Sequence, residues 1–173
     1  MKADYIQNLD EAEYSVAFFM YLVIQGIEPR RISILTATQA QSDLIQEIII
    51  KKTSWHKSFG KPGSIGYLME SQSLTNDYVI LSLVRSQDPG ILAEADSTVV
   101  ALSHARLGLF VLCNVDLFKK VEHFKHVLSA IKDKSHKLIV KDQKKDKPIA
   151  NYEELYKLVQ DLFQKHQESQ PTN

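Results

Sequence analysis

The sequence predicts one α/β domain with an open, mostly parallel sheet, helices on both faces of that sheet, and a docked helix at the C-terminus. Short continuous apolar runs alternate with helix-period patterns at least three times along the 173 residues. The runs are rich in β-branched residues and have polar ends, which is typical of strands buried on both faces of a parallel sheet. A composition of 44% apolar residues is enough for one core.

Composition excludes several classes of protein. The 21 basic and 21 acidic side chains cancel, so no overall field draws the molecule to nucleic acid or to an anionic membrane. The single cysteine, Cys113, excludes an internal disulfide and a cysteine-based zinc site, and it favours a reducing compartment. No apolar run approaches the ~20 residues of a membrane span, and the N-terminus lacks the apolar core of a signal peptide. We therefore expect an intracellular, non-secreted protein with no membrane partner.

The first helix has a clear start and stop in the sequence. Asn8 to Glu11 has the form of a capping box. In this motif the Asn8 side chain accepts hydrogen bonds from first-turn amides, and the Glu11 side chain reaches back to the Asn8 amide. The pattern predicts a helix from Leu9 that ends at Gly26, before Pro29. A short buried strand, ISILTA (32–37), should follow.

The next segments predict a helix, a loop and two strands. Ser42 should cap a helix over 42–52. Residues 51–64 lack periodicity and hold two glycines and a proline, so they predict a loop. Its aromatics, Trp55, His56 and Phe59, either form a binding surface or fold back onto the domain, and the second is favoured. Strands are expected over 64–69 and 77–86.

The remaining chain predicts a helix over 98–107, a buried strand over 107–115 and an amphipathic helix over 116–134. The Lys-rich stretch 132–147 is interpreted as a solvated segment, with phosphate contact as the alternative. Residues 141–151 read as a charged linker. The helix after it, beginning near Tyr152, carries an apolar stripe that should dock on the body of the protein or on a partner.

Ligands of such sheets bind at the carboxyl ends of the strands. The sequence has neither GxxxxGK[ST] nor GxGxxG, so the usual backbone cradle for a polyphosphate is missing. This domain is not expected to hold a nucleotide in that way by itself.

Four strings in the right order carry a family resemblance: NLDEAEYSVAFFMYLVIQGIEP, ISILTATQAQSDLIQEII, NDYVILSLVRS and VVALSHARLGLFVLCNVDLF. They closely resemble the second RecA-like domain of superfamily-1 RNA helicases of the nonsense-mediated-decay type, over about residues 8–118. The resemblance implies a RecA-like helicase C-terminal domain over 1–140, with a linker and terminal helix over 141–173. In that family this domain forms one wall of an ATP site and grips the nucleic-acid backbone.

The match departs from the family at its chemical positions. Thr38 stands where the family has an aromatic residue facing the base, and Ala40 replaces a glycine, whereas Gln41 is retained. In the next motif Gln72 is retained, but Met69 replaces an aspartate and Ser73 a glycine. The departures continue at the last motif, where a consecutive arginine pair falls on Asp96 and Ser97 and the arginine that reaches the γ-phosphate falls on His104.

These departures remove the side chains that would handle a triphosphate. His104 cannot replace an arginine, because it is shorter, mostly neutral at pH 7 and offers one donor at a time. By resemblance, Gln41, Gln72 and His104 are therefore vestigial nucleotide-binding residues, and we expect no catalytic residue and no metal site. Arg85 and Arg106 match retained positions; structural ion pairs are favoured for them, with polyanion contact as the second choice.

Other candidate sites have simpler interpretations. His123 and His126 are three residues apart on a helix without further ligands, so surface histidines are favoured over a metal site. Ser103 and His104 are adjacent on a helix and point apart, which disfavours a hydrolase. Asp77 is interpreted as the polar rim of a strand, with ribose or side-chain orientation as the alternative, and Cys113 as an inert core thiol.

The function that the resemblance implies is a degenerate, non-catalytic helicase-like module for binding or assembly in RNA processing, in pre-mRNA splicing and in the nucleus. Its partners would be proteins, of the spliceosome by resemblance, with weak RNA binding as a further expectation. No cofactor is expected; ATP and Mg²⁺ would bind only if a phosphate-loop domain completed the site. The alternative is half of a bipartite ATP-dependent RNA helicase whose phosphate-loop domain lies on another chain or in a missing N-terminal segment. A folded remnant of a truncated or duplicated gene is a third possibility.

Overall fold

The structure is a computed structural model that describes residues 5–71, 74–85, 87–130, 138–141, 146–149 and 151–168. The helices are α1 (Leu9–Ile24), α2 (Gln39–Thr53), α3 (Ala95–Ser103), α4 (Val115–Phe118), α5 (Glu122–Ala130) and α6 (Tyr152–Glu168). The strands are β1 (Ile32–Thr36), β2 (Ser64–Tyr67), β3 (Asn76–Ser82), β4 (Ala105–Leu112), β5 (Leu138–Lys141) and β6 (Asp146–Ile149).

The first four strands form one parallel sheet in the order β2-β1-β3-β4. Ile34 lies beside Ile65 on one side and Ile80 on the other, and Ile80 lies beside Phe110. Because all four strands run the same way, their C-terminal ends meet at one edge of the sheet, called here the carboxyl edge. The opposite edge is called the amino edge. The predicted α/β fold with a parallel sheet is confirmed.

Helices cover both faces of this sheet, as predicted. Strand side chains alternate between the faces, so Ile34 and Ile80 join one core cluster while Leu35 and Leu81 join the other. The first cluster lies under α1, α2 and α6, and the second lies under α3, α4 and α5. Phe18 of α1 meets the edge of Phe110 on β4, with ring centroids 4.9 Å apart.

The ends of α1 follow the sequence signals. Asn8 caps the helix by accepting a hydrogen bond from the Glu11 amide at 3.1 Å. Gly26 follows the last turn at a φ of 92°, a left-handed conformation that costs glycine little.

The start of α2 differs from the prediction. Thr38, not Ser42, is the cap, because Thr38 is extended and its Oγ1 accepts from the Gln41 amide at 3.3 Å. The Ser42 amide already donates to the Thr38 carbonyl at 3.3 Å, so Ser42 lies within the first turn. The helix therefore begins three residues earlier than expected, which buries Gln41.

The boundary between α3 and β4 also differs. The helix was expected over 98–107 but spans Ala95–Ser103, and the strand was expected from residue 107 but begins at Ala105. Pairing with β3 decides this: the Asn76 amide donates to the His104 carbonyl at 3.0 Å, and Ala105 lies opposite Asn76. Strand pairing thus overrides the helical pattern of these residues.

The single helix expected over 116–134 is wrong in its described part, where α4 and α5 are separated at residues 119–121. Residues six apart on a continuous helix lie about 120° apart around its axis, so they do not share one face. The break lets Phe118 and Phe124 both enter the core, with ring centroids 4.7 Å apart and each at most 1% exposed. Residues 131–134 lie outside the described part of the chain.

The C-terminal helix docks as predicted. Leu155 and Val159 are fully buried in the cluster under α1 and α2. The Tyr156 hydroxyl donates to the Lys52 carbonyl at 3.2 Å, and Lys52 Nζ lies 4.4 Å from the centre of the Tyr156 ring. Part of the expected charged linker, 141–151, instead forms β6, which pairs antiparallel with β5. The division of the chain at residue 140 stays a prediction.

The aromatic residues between α2 and β2 fold back onto the body of the domain. Phe59 is 1% exposed, and Trp55, although half-exposed, meets the Phe163 ring of α6 at 5.0 Å. The interpretation of this loop as self-packing is confirmed. None of the helices in the described part of the chain is long and apolar enough to cross a bilayer.

Candidate functional site at the carboxyl edge of the sheet

A polar cluster formed by Asn8, Glu11, Gln41, Ser82 and Val84 occupies the carboxyl edge where β3 ends; it is called here the β3-end cluster. Gln41 is fully buried within it. Its side-chain oxygen accepts from the Asn8 amide at 2.9 Å, and its side-chain nitrogen donates to the Asn8 carbonyl at 3.0 Å and to Ser82 Oγ at 3.3 Å. The retained glutamine therefore joins the starts of α1 and α2 to the end of β3.

Glu11 supplies the charge of this cluster. One carboxylate oxygen accepts from Ser82 Oγ at 2.7 Å and from the Val84 amide at 2.9 Å. The capping box predicted that the Glu11 side chain accepts a hydrogen bond from the Asn8 amide. This prediction is wrong, because the Asn8 amide donates to Gln41 and the Glu11 carboxylate accepts from Ser82 at the end of β3. Burial raises the pKa of Glu11 above its ordinary value, and its hydrogen bonds offset only part of this rise.

The chain leaves β3 through a strained turn. Val84 has a φ of 61°, in the left-handed region that a β-branched residue seldom adopts. The Arg85 amide donates back to the Leu83 carbonyl at 2.6 Å, which closes a γ-turn around Val84. The hydrogen bond from Val84 to Glu11 therefore holds a backbone conformation that costs on the order of 1–3 kcal/mol by itself.

Arg85 follows this turn and is 6% exposed. A Cβ added to Gly90 would lie 2.7 Å from Arg85 Cζ, so the backbone of Gly90 lies directly against the guanidinium. Gly90 also has a φ of 60°, which favours glycine. Arg85, which matches a retained family position, is therefore buried at the carboxyl edge. The backbone that follows Arg85 encloses its guanidinium.

Thr38, which stands at an aromatic position of the helicase motif, is also turned inward. It is fully buried, and its hydroxyl donates to the Ile6 carbonyl at 2.7 Å while capping α2. Its side chain therefore serves the packing between the N-terminus and α2 and does not face outward toward a base.

His104 lies at the other edge of the sheet. Its Nδ1 is hydrogen-bonded to the Leu74 carbonyl, and its own carbonyl accepts from Asn76, the first residue of β3. Its Nε2 is buried and makes no hydrogen bond among the described residues. Gln41 and His104 are thus separated by the length of β3, so the structure does not bring these two predicted site residues together. Gln72, like Ser73, lies outside the described residues.

Arg106 also lies at the amino edge. Arg31 Nε and Arg106 Nη2 contact the two carboxylate oxygens of Asp77 at 2.6 and 2.7 Å. The hydrogen bond from Arg31, followed by that from Arg106, holds the pKa of Asp77 below its ordinary value. Asp77 therefore orients two arginines.

The side chains at Met69, Asp96 and Ser97 line a small cleft with Leu68, Ile91 and Val100. Its volume is about 120 Å³, below the roughly 300 Å³ at which pockets for small-molecule ligands begin. A larger groove of about 490 Å³ lies between the C-terminal end of α2 and α6, lined by residues such as Lys52, Trp55 and Tyr156. Because α2 starts at the carboxyl edge and runs away from it, this groove is distant from the β3-end cluster.

The remaining candidate residues form no reactive group in the structure. Among the described residues, no three His, Cys, Asp or Glu side chains are grouped to hold a metal. Ser103 Oγ donates to the Val100 carbonyl and His104 is buried, so the two do not form a nucleophile and base pair. Burial, and secondarily the charge of Glu11, raises the pKa of Cys113 to about 11, so this thiol is protonated at neutral pH.

Comparison with known proteins assigns the family. A family model described as "AAA domain" matches residues 1–116. The chain belongs to this AAA domain family. The predicted resemblance to superfamily-1 RNA helicases of the nonsense-mediated-decay type is confirmed by the helicases among its relatives and by those named as regulators of nonsense transcripts.

Three relatives illustrate the similarity. RNA helicase aquarius of Mus musculus is 42% identical over 115 residues, which cover 66% of this chain and 8% of that protein. The helicase required for RNAi-mediated heterochromatin assembly 1 of Schizosaccharomyces pombe is 40% identical over 114 residues, 64% of this chain and 11% of its own. Pre-mRNA-splicing factor cwf11 of the same yeast is 33% identical over 138 residues, 79% of this chain and 11% of its own. The matched part of this chain thus spans about a tenth of the length of these relatives.

The groups that the structure describes at the carboxyl edge do not fit a nucleoside triphosphate. The Glu11 carboxylate lies at the end of β3, where it repels phosphate oxygens, and Asp96 lines the neighbouring cleft. The donors of Ser82 and Val84 are already bonded to that carboxylate, and His104 is at the opposite edge. Among the groups that fill this edge, Asn8 and Glu11 had a capping signal and Gln41 had a family-motif signal. The capping signal predicted a different partner for Glu11.

Proposed function

We propose that this domain is a non-catalytic helicase-like module for binding or assembly in RNA processing, specifically in pre-mRNA splicing, and that it acts in the nucleus. The observation that carries the proposal is the β3-end cluster. Its own hydrogen bonds satisfy the polar groups at the end of β3, and its charged member is an anion. A site built to stabilise the negative charge of phosphoryl transfer needs cations and free donors at that place.

The relatives support the choice of pathway. RNA helicase aquarius and pre-mRNA-splicing factor cwf11 both match most of this chain. The strand strings that build the sheet are retained, while Met69, Asp96 and His104 occupy positions where the family has chemically active side chains. Retention of the framework without those side chains favours a role in recognition, with partner proteins of the splicing machinery.

ATP turnover tests the non-catalytic part of the proposal. The purified 173-residue chain is expected neither to bind ATP in the presence of Mg²⁺ nor to hydrolyse it. His104→Arg combined with Asp96→Arg should not create turnover, because this sequence contains no phosphate loop to hold the triphosphate. Measurable ATP hydrolysis by the unmodified chain would overturn the proposal.

A salt titration tests RNA binding. If arginines such as Arg31 and Arg106 grip an RNA backbone, affinity for a single-stranded RNA should fall steeply as salt concentration rises. The matched variant Arg106→Gln should reduce that slope, whereas Lys51→Gln, at an exposed lysine elsewhere, should not. A flat response would exclude a phosphate-gripping surface and leave proteins as the partners.

The second candidate function is half of a bipartite helicase, in which another phosphate-loop domain completes an ATP site. The burial of Arg85 near the end of β3 favours this candidate, because a guanidinium is kept at a position that matches the family. This function requires a partner that bears a phosphate loop. Recovery of such a partner from cells, with ATPase activity that depends on Arg85, would favour this second function over the first.

A further inference from the structure

The groove of about 490 Å³ between the C-terminal end of α2 and helix α6 is called here the α2–α6 groove. Its volume lies within the range of roughly 300–1,000 Å³ that is typical of ligand pockets. The groove is separate from the β3-end cluster, and α6 lies outside residues 1–116, which match the family model. The role proposed above for the carboxyl edge therefore leaves this groove without a function.

Aromatic rings form the apolar part of the groove. Trp55, Tyr156 and Phe163 line it, and Trp55 is 46% exposed. The Tyr156 ring is held in place because its hydroxyl donates to the Lys52 carbonyl at 3.2 Å. The rings of Phe59 and Phe163 meet Trp55 at angles of 58° and 81°, so neither of them lies flat on the indole. An apolar group of a ligand can therefore pack on the exposed part of Trp55.

The charges of the groove differ between its two walls. On the α2 wall, the Lys51 side chain is 73% exposed and its ion-pair partner, Glu47, lies 3.9 Å away at the surface, so this pair is weak. Lys52 lies closer to its own partner, Glu13, at 3.5 Å. On the α6 wall, the charged residue that lines the groove is Asp161. The groove therefore favours a ligand with a negative group at Lys51, but it disfavours one that is negative along its whole length.

The spacing of the lining residues matches an extended peptide. Gln160 and Gln164 are four residues apart on α6, and neither side chain makes a hydrogen bond within the described part of the chain. Residues four apart on a helix are about 6 Å apart along its axis, and alternate residues of an extended chain are about 6.6 Å apart. Each glutamine amide offers a donor and an acceptor, as a peptide group does. Lys51 and Trp55 on the other wall are also four residues apart.

We propose that the α2–α6 groove binds an extended peptide segment of a partner protein, with an acidic side chain at Lys51 and, two residues away, an apolar side chain on Trp55. Gln160 and Gln164 bind the backbone of this segment. A single-stranded RNA fits less well, because it carries a phosphate at every nucleotide and Asp161 repels those near it. The inference rests on the proposed function for the choice of a protein partner. Its failure would leave the expected absence of ATP turnover unaffected.

Selection from a displayed library of random linear peptides, with the full 173-residue chain as bait, tests the proposal. The selected peptides should share an acidic residue two positions from an apolar residue. A selected peptide should also change the emission of Trp55, which is the one tryptophan of the sequence. No enrichment, enriched peptides without an acidic residue, or binding that leaves the emission of Trp55 unchanged would overturn the proposal. Displacement of the peptide by single-stranded polyuridine, with a matching change in Trp55 emission, would assign the groove to RNA and overturn it as well.

A charge reversal at Lys51 tests the contact with the acidic side chain, and the exposure of Lys51 means that the variant should fold. Lys51→Glu should weaken binding of a selected peptide by on the order of fivefold. A peptide in which lysine replaces the acidic residue should bind Lys51→Glu more tightly than it binds the unmodified chain. Lys125→Glu, at an exposed lysine of α5 on the other face of the sheet, is the matched control and should change neither affinity. Equal effects of the two variants, or the same peptide preference for Lys51→Glu and the unmodified chain, would overturn the proposal.

Discussion

Replacing Glu11 by alanine should destabilise the domain strongly, although Glu11 lies in the first turn of a helix and has the sequence signature of a cap. The substitution leaves Ser82 Oγ and the Val84 amide without their acceptor. It also removes the bond that holds Val84 at a φ of 61°. Asp10→Ala is the matched control, because Asp10 is an exposed acid in the same turn.

The size of the effect follows from these two bonds. Each hydrogen bond to a charged acceptor contributes about 1.5–3 kcal/mol, and the cost of burying the carboxylate offsets part of the sum. We therefore expect Glu11→Ala to lower the free energy of unfolding by about 3 kcal/mol at pH 7. Glu11→Gln should cost less, because both bonds use one oxygen and the amide of glutamine retains one. Asp10→Ala should change stability by less than about 0.5 kcal/mol.

Urea unfolding followed by circular dichroism measures all three variants, and pH adds a further check. Because the pKa of Glu11 is raised on folding, the native state binds the proton more tightly than the unfolded state. Stability from this group is full below its ordinary pKa and is lost as pH rises through the raised value. Relative to Glu11→Gln, the unmodified protein should therefore lose stability as pH rises through that window. Equal stabilities for Glu11→Ala and Asp10→Ala would refute the reasoning.

Three further substitutions test other contacts. Gly90→Ala should lower the melting temperature more than Gly26→Ala, because both glycines have positive φ but only at Gly90 would the new Cβ meet Arg85, at 2.7 Å. Leu155→Ala should cost about 3 kcal/mol in urea unfolding, since this fully buried side chain docks α6 on the core; a cost below ~1 kcal/mol would mean that α6 is not part of the cooperative unit. Asp77→Asn should lower the melting temperature at low salt and pH 7, with a smaller effect in high salt. Because the pKa of Asp77 is lowered on folding, the difference from wild type should shrink as pH falls below the ordinary value and vanish below the lowered value; a difference that persists below the lowered value would exclude the ion pair as its cause.

The fold follows from the sequence wherever apolar periodicity decides it. The strings ISILTA and DYVILSLVRS have few polar positions, so burial on both faces was the one arrangement that suits them, and β1 and β3 lie at the centre of the sheet. Boundaries failed where a distant partner outweighed the local pattern. The first residues of β4 have a helical sequence pattern, but they form a strand because Ala105 pairs with Asn76. Helix α4 is separate from α5 because Phe118 and Phe124 both enter the core.

The candidate site was harder to predict because its members come from distant parts of the chain. Glu11 reaches Ser82 across 71 positions, and a capping-box pattern gives no indication of such a partner. Gln41 was recognised through the family motif, yet its contacts are with Asn8 and Ser82. The geometry that separates Gln41 from His104 depends on which edge of the sheet each element reaches, and that requires the order and direction of the strands.

Side chains of the same chain fix both ends of β3, and this predicts how ligand affects the melting temperature. At its start, Asp77 binds Arg31 and Arg106, and at its end Ser82 and Val84 bind Glu11. The central strand is therefore held at both edges by side chains of the same chain. A domain that needs a nucleotide to order its carboxyl edge gains stability as ligand is added, by an amount that grows with concentration. Because the donors here are already bonded, ATP with Mg²⁺ should leave the melting temperature of this domain unchanged, and a concentration-dependent rise would show that the β3-end cluster opens to admit phosphate.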